Sequence, residues 1–255
     1  MTYYIVGTGN TAWFMATKLH DAGHLCKGIY GRDISKAAEL AHTVNANAYM
    51  LTNGIPDDAD VCILAVSDNS IEEVSGKLNF SKTLLLHTAG AVSSNTLKGP
   101  ANIYGVIWPI YSITKSQLPV TRNIPTAIEV NTTDSLALIH TIAASFTDNV
   151  YEADSDKRKQ MHLAAVFSNN FSNHLFSIAE KLCQEYGIPF NTMIPIIAQT
   201  AERINNQSPS TLQTGPAKRN DTATMQEHLQ LLNQHPEWEE MYKSISASIL
   251  KMYSK

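Results

Sequence analysis

The sequence predicts an α/β chain in two parts, a doubly wound, mostly parallel sheet followed by an all-α segment. Three observations carry that prediction. Short apolar runs rich in β-branched residues alternate with helical stretches up to about residue 150. Several runs, Asp60-Val61-Cys62-Ile63-Leu64-Ala65-Val66 above all, are apolar almost throughout, as a strand buried on both faces of a parallel sheet must be. After Tyr151 no convincing strand follows and a helical period takes over.

Taken in order, the apolar run Tyr3-Tyr4-Ile5-Val6 is the first strand, and a helix over about 11–22 follows, with Gly23 just past its end. Residues 25–30 read as strand two, 34–44 as a helix with alanines for close packing, and 48–50 as a short third strand. Asn53-Gly54-Ile55-Pro56-Asp57-Asp58 is turn chemistry before the fourth strand. A helix over 69–78, strands over 83–87, 103–107 and 126–130, a helix over 133–146 and a strand near Val150 complete the sheet region. Helical periods then run over 156–186 and 190–205, and a polar loop occupies 206–220. Asp221 caps a helix reaching Leu232, and Pro236 opens the last one. The expected division is residues 1–153 for the sheet domain and 154–255 for the helical one.

With 44% of its 255 residues hydrophobic and 16% charged, the chain is globular rather than disordered. A net charge of −4 provides no electrostatic footprint for nucleic acid. The one dense basic cluster, Lys157-Arg158-Lys159, follows several acids and reads as a solvated helix start. No leader pattern and no run of 18 apolar residues is visible, so neither secretion nor a membrane span is expected. Three widely spaced cysteines, without a Cys-x-x-Cys, fit a reducing compartment, and a cytoplasmic location is expected. The nine histidines come with no carboxylate cluster, and no metal site is expected.

The most informative stretch joins the first strand to the first helix. Gly7-Thr8-Gly9-Asn10-Thr11-Ala12 is a Gly-x-Gly-x-x-Ala turn in the strand–turn–helix context that a Rossmann dinucleotide-binding unit requires. Gly7 permits the tight turn, Gly9 carries no Cβ to hold off a pyrophosphate, and Ala12 lets helix and strand pack closely. Phosphates would sit at the helix N-terminus, among free N–H groups and the positive end of the dipole. Gly7, Thr8, Gly9, Asn10 and Thr11 are therefore expected to bind the cofactor. Ala65, Val66 and Ser67 after the fourth strand, and His87 and Thr88 after the fifth, share that sheet edge and join them.

Strand two ends Ile29-Tyr30-Gly31-Arg32-Asp33. An NAD site places an acid there for the ribose 2′-hydroxyl, whereas an arginine suits the 2′-phosphate of NADP. Gly31 stands where the acid is sought and Arg32 follows, which favours NADP; Ser35 and Lys36 could add contacts. Asp33 either caps the next helix or is itself the ribose acid.

Three groups are candidates for chemistry. Asp68 and His87 lie at the carboxyl edge of the sheet; ordinary turn chemistry accounts for Asp68 equally well. His162, Val166, Asn169 and Asn173 fall at spacings of four, seven and eleven, a polar stripe on one face of an apolar helix. Leaving such a group unpaired costs about 1–3 kcal/mol, so either a substrate or a neighbouring helix must partner it. Arg219, in Thr214-Gly215-Pro216-Ala217-Lys218-Arg219-Asn220-Asp221, could clamp a substrate carboxylate or pair with Asp221. Catalytic roles are thus sought at His162, Asn169 and His87, and substrate binding at Asn173 and Arg219.

Several of these stretches together carry a resemblance. Val6-Gly7-Thr8-Gly9-Asn10, Leu64-Ala65-Val66-Ser67-Asp68, His87-Thr88-Ala89-Gly90, Gly105-Val106-Ile107-Trp108-Pro109, Ala164-Ala165-Val166-Phe167-Ser168-Asn169 and Thr214-Gly215-Pro216 with Arg219 and Asp221 run over nearly the whole chain. With them the chain resembles the pyrroline-5-carboxylate reductase and coenzyme F420-dependent NADP oxidoreductase superfamily. More narrowly, it resembles bacterial oxidoreductases that join this Rossmann domain to a helical domain similar to that of 6-phosphogluconate dehydrogenase. The resemblance implies hydride transfer with NADP(H) at a cleft between the domains, and a homodimer made through the helical domains.

Departures from the family pattern bear on mechanism. The family usually has Ser at Ala89, His at Trp108 and Gly at Asn220. Related hydroxyacid dehydrogenases use a Lys-x-x-x-Asn pair; read back from Asn169, the lysine position is Ala165. Reducing a carbonyl or imine takes a proton as well as hydride, and His162 or His87 could supply it, since histidine titrates near neutrality. Hydride exchange with a flavin or deazaflavin needs little beyond positioning. The expected function is a small-acceptor NADP oxidoreductase, with an imine or 2-keto acid reductase and a non-catalytic NADP-binding sensor as alternatives.

Overall fold

The computed structural model describes residues 1–253. They divide into two compact units, Met1–Asn170 and a second that begins at Phe171.

The first unit is built on one sheet of eight strands in the order β3-β2-β1-β4-β5-β6-β7-β8. In chain order these are β1 (Thr2–Val6), β2 (Leu25–Gly31), β3 (Ala48–Met50), β4 (Val61–Leu64), β5 (Leu84–His87), β6 (Tyr104–Pro109), β7 (Thr126–Val130) and β8 (Val150–Glu152). All neighbours pair in parallel except β6 with β7, which run antiparallel in the register Gly105↔Val130 to Pro109↔Thr126. The chain winds outward from β1 in one direction through β3 and in the other from β4. That reversal leaves a crevice at the carboxyl ends of β1 and β4, the usual ligand position in such folds.

Side chains alternate across the sheet, so each central strand feeds two cores. Tyr3 and Ile5 enter the core shared with α1 (Asn10–Asp21), α2 (Ile34–Thr43) and α4 (Leu136–Ala144). Tyr4 and Val6 enter the core shared with the short α3 (Ile71–Ser75). Ala12 is completely buried, which allows α1 to lie close to the sheet. Asp33 caps α2, its Oδ1 accepting from the Ser35 and Lys36 N–H groups at 3.0 and 3.2 Å.

The division falls later than residue 153 because α5 (Ser155–Ala165) belongs to the sheet unit. Its anchor is Arg158, which the basic-cluster reading put in solvent. Arg158 is in fact fully buried, its NH2 group 2.7 Å from Glu129 of β7. The single helix expected over 156–186 is also interrupted. After α5 the chain makes a π-helical segment, Val166–Phe171, before α6 (Ser172–Glu185) resumes.

The second unit comprises α6, α7 (Ile194–Arg203), the short α8 (Pro209–Leu212) and α9 (Pro216–Arg219), α10 (Thr222–Leu231) and α11 (Pro236–Tyr253). Two short helices thus occupy the stretch read as a polar loop. Among its described residues only Cys183, Ala217 and Leu232 are buried. Leu175, Ile188, Ile194, Ile196 and Leu231 are exposed by 40% or more. No helix among the described residues is long and apolar enough to cross a membrane.

Candidate active site

The crevice at the switch point is a cleft of about 730 Å³. Gly7, Thr8, Gly9, Asn10 and Thr11 form its floor, Ala65, Val66 and Ser67 one wall, and Arg32, Asp33 and Lys36 its far rim. The two glycines of the turn differ in what requires them. Gly7 has φ +121°, and a Cβ there would lie 2.2 Å from the Ala65 carbonyl oxygen, so the fold itself demands glycine. A Cβ on Gly9 would meet no protein atom within 4 Å. Its open face is the cradle that a pyrophosphate would fill. Gly9 is also the N-cap of α1, and no side chain caps the first N–H groups of that helix. They remain available to an anion. Asn10 turns its Oδ1 away to accept from the Lys115 N–H at 3.1 Å, securing the segment after β6.

At the rim, a Cβ on Gly31 would lie 3.1 Å from Thr8 Cγ2 and 3.2 Å from Ala37 Cβ. A side chain there would require those neighbours to give by a few tenths of an ångström. Asp33 is engaged as the cap of α2, while Arg32 is exposed on the lining beside Lys36. Lys77, also on the lining, is paired with Glu73 at 2.7 Å. The residues present fit a dinucleotide.

His87 and Thr88 do not line this cleft. The His87 ring is wholly buried: Nδ1 accepts from the Ala89 N–H at 3.2 Å, and Nε2 faces the Ser93 carbonyl oxygen at 3.4 Å. Burial, followed by the nearby Arg158 charge, lowers its pKa to about 4. A sealed, neutral imidazole holding a loop cannot deliver protons to a substrate, and the catalytic and cofactor-binding roles sought at His87 are corrected accordingly. Asp68 is exposed at the start of a single turn and lies outside the lining.

A second cavity of about 620 Å³ opens between the end of β6 and α5 with its π-helical extension. His162 and Asn169 both border it, joined by Trp108, Tyr111, Ser112 and Asn170. Trp108 lies 5.7 Å from His162 between ring centroids, at a 46° tilt. Gly90 packs behind both rings, since a Cβ there would come within 2.6 Å of Trp108 and 2.9 Å of His162. Ala165, at the position of the lysine in related dehydrogenases, lines the cavity and leaves it without an ammonium at that point. Asn169 and Asn170 reach the lining from the π-helical segment. The same segment breaks the spacing that grouped Asn173 with His162. Asn173 is exposed on α6, in the second unit, and is not part of the lining.

Arg219, also in the second unit, is exposed at the end of α9. Asp221 accepts from the Thr224 N–H and hydroxyl at 3.1 and 2.8 Å, which lowers its pKa first, with the Arg219 charge a smaller contribution. Asn220 takes φ +54°, the left-handed conformation that glycine adopts freely and asparagine tolerates, which explains how it replaces the usual glycine.

The sequence reading missed Arg158 and Glu129, which tie α5 to β7 and to the loop after β5. The only local signal was the four-residue step from Arg158 to His162. No group of three His, Cys, Asp or Glu side chains among the described residues is placed to hold a metal ion.

Sheet order, glycine turn and cleft define a Rossmann-type dinucleotide-binding oxidoreductase domain, extended by a helical unit. Residues 2–89 match the family described as NADP oxidoreductase coenzyme F420-dependent, and residues 124–249 a domain of unknown function, DUF2520. A Bacteroides fragilis protein assigned as an NADP oxidoreductase is 33% identical, with a TM-score of 0.92 and 98% of each chain covered. The chain belongs to this NADP oxidoreductase family. A Thermotoga maritima protein is similar at 23% identity and a TM-score of 0.82, over 99% of this chain and 100% of its own. The pyrroline-5-carboxylate reductase of Streptococcus pyogenes shares the fold at 17% identity and a TM-score of 0.63, over 98% of each chain. Among curated proteins none matches.

Proposed function

We propose that this protein is an NADP-dependent oxidoreductase that passes hydride between NADP(H) and a small acceptor at the carboxyl edge of its sheet. The observation that carries the proposal is the pair of cavities built by that one edge. One presents an uncapped helix N-terminus and an arginine rim, the other a histidine and two amides against a tryptophan. Gly7, Thr8, Gly9 and Thr11 would hold the pyrophosphate, and Arg32 with Lys36 the 2′-phosphate; when bound, the dinucleotide would supply the hydride. His162 gives or takes a proton at a ring nitrogen, and Asn169 and Asn170 orient the acceptor. The 33% identical Bacteroides fragilis protein supports the NADP assignment.

His162 in the lining favours a second, narrower reading, an imine or 2-keto acid reductase. Reduction of C=N or C=O takes a proton along with the hydride, whereas exchange with a flavin does not need one from the protein. The test follows NADPH absorbance while flavins, deazaflavins, cyclic imines and 2-keto acids are screened, with NADH in parallel. Oxidation with one acceptor class is expected. Tight NADPH binding without oxidation by any acceptor would instead make the protein a sensor, and NADH binding at least as tight as NADPH would remove the role of Arg32.

We infer also that the chain works as a homodimer through its helical unit. That unit buries only three of its described residues and leaves Ile188, Ile194, Ile196 and Leu231 in water, too much apolar surface for a unit that stays alone. Cys26, Cys62 and Cys183 are buried and free, which supports a reducing compartment, and we take this to be the cytoplasm.

A further inference from the structure

We infer that Arg158, held by Glu129, is a positioning residue for the candidate active site. Its guanidinium clamps the loop after β5 against His162 and thereby sets how that ring faces the cavity. The inference rests on the reading of the Trp108–His162 cavity as the acceptor site.

Arg158 has no solvent exposure and heads the fully buried side chains in volume. Its NH1 donates to three carbonyl oxygens of one loop, those of Ala89 and Gly90 at 3.1 Å and of Val92 at 3.0 Å. Nε and NH2 donate to the same Glu129 carboxylate oxygen at 3.2 and 2.7 Å, and NH2 also to Ser155 Oγ at 3.1 Å. The other Glu129 oxygen accepts from Ser94 Oγ at 2.7 Å and Ser155 Oγ at 3.2 Å. A buried ion pair is a poor way to add stability, because desolvation offsets the attraction. A planar fork satisfied on every side is a good way to fix geometry.

The geometry it fixes lies at the site. Arg158 and His162 are four residues apart on α5, hence on one face. Between them passes Gly90. Its carbonyl oxygen is held by Arg158, and its α-carbon abuts Trp108 and His162 so closely that no Cβ fits. The loop is therefore pinned on one side by the guanidinium and presses on the two rings with the other. Lysine could neutralise Glu129, but a single ammonium cannot reach it and three carbonyls together.

The test is made on the full chain, labelled with ¹⁵N and ¹³C at histidine. In the unsubstituted protein, the His162 ring protons carry the Trp108 ring-current shift and a nuclear Overhauser contact to the indole. In Arg158→Lys both are expected to be lost while NADPH binding, read by cofactor fluorescence, is unchanged. With the acceptor found by the screen above, kcat falls about 10- to 100-fold at constant KM for NADPH. Should Arg158→Lys fail to fold, Glu129→Gln, which keeps the shape and loses the charge, must show a smaller change of the same kind. A folded variant that keeps both the His162 shift and the contact overturns the inference. The resonance measurement does not depend on turnover, so failure of every acceptor would sink the oxidoreductase reading and still leave this question answered.

Discussion

Gly7 and Gly9 sit two residues apart in one motif, yet the fold itself demands only Gly7, and the role proposed for Gly9 is toward the ligand. Gly7→Ala drives a Cβ into the Ala65 carbonyl at a left-handed φ, and a loss of at least about 2 kcal/mol is expected in urea unfolding. Gly9→Val places its Cβ where no protein atom lies within 4 Å. It should unfold like the unsubstituted chain but bind NADPH more than about tenfold more weakly, because the branched side chain occupies the phosphate cradle. At the rim, Arg32→Ala should weaken NADPH about 10- to 100-fold and leave NADH unaffected, the cost of one charge-assisted contact. Equal losses for both cofactors would contradict it. His87 makes a statement about acid. Its pKa is lowered from 6.5 to about 4 in the fold, so the folded state prefers the neutral ring. Stability is complete above pH 6.5 and falls as pH drops through that window toward 4, by up to about 3 kcal/mol. Urea midpoints measured across that range should follow this slope, and His87→Asn should flatten it.

The elements around the site are coupled through one antiparallel pair. Gly105 of β6 faces Val130 of β7, and a Cβ on Gly105 would lie 2.0 Å from the Glu129 carbonyl oxygen. Gly105→Ala must therefore push β7 away and carry Glu129 from Arg158. A loss of about 1–3 kcal/mol in thermal unfolding is expected, together with the His162 resonance change predicted for Arg158→Lys. A wild-type melting curve would show that β7 gives way without cost. The strands themselves were legible because central parallel strands are apolar on both faces. The π-helical segment was not. Val166–Phe171 has the composition of an ordinary helix, and nothing in its residues marks the wider turn.

At the scale of the molecule, the two units differ in how they exclude water. The sheet unit closes its cores with its own helices. The helical unit leaves apolar side chains on several helices outside. Placing a charge there tests the proposed dimer. Ile196→Asp, at a position 62% exposed, should convert dimer to monomer in light scattering without loss of helical circular dichroism. A monomeric unsubstituted chain at micromolar concentration would end that proposal.

Local chemistry decided the fold. A glycine pair between strand and helix and double-sided apolar strands act through neighbours in sequence, so their meaning survives without coordinates. The proposed acceptor end depends on residues far apart in the chain. Arg158 in a run of charges looks solvated until Glu129 of β7, 29 residues away, supplies the partner that makes its burial possible. His87 looks reactive until the sheet and its loop seal it. Trp108 and Gly90 become the setting of His162 only when β6 and α5 meet. Desolvation and ion pairing are properties of the packed chain, and they, rather than any motif, determine which of its polar residues are sealed inside and which line a cavity.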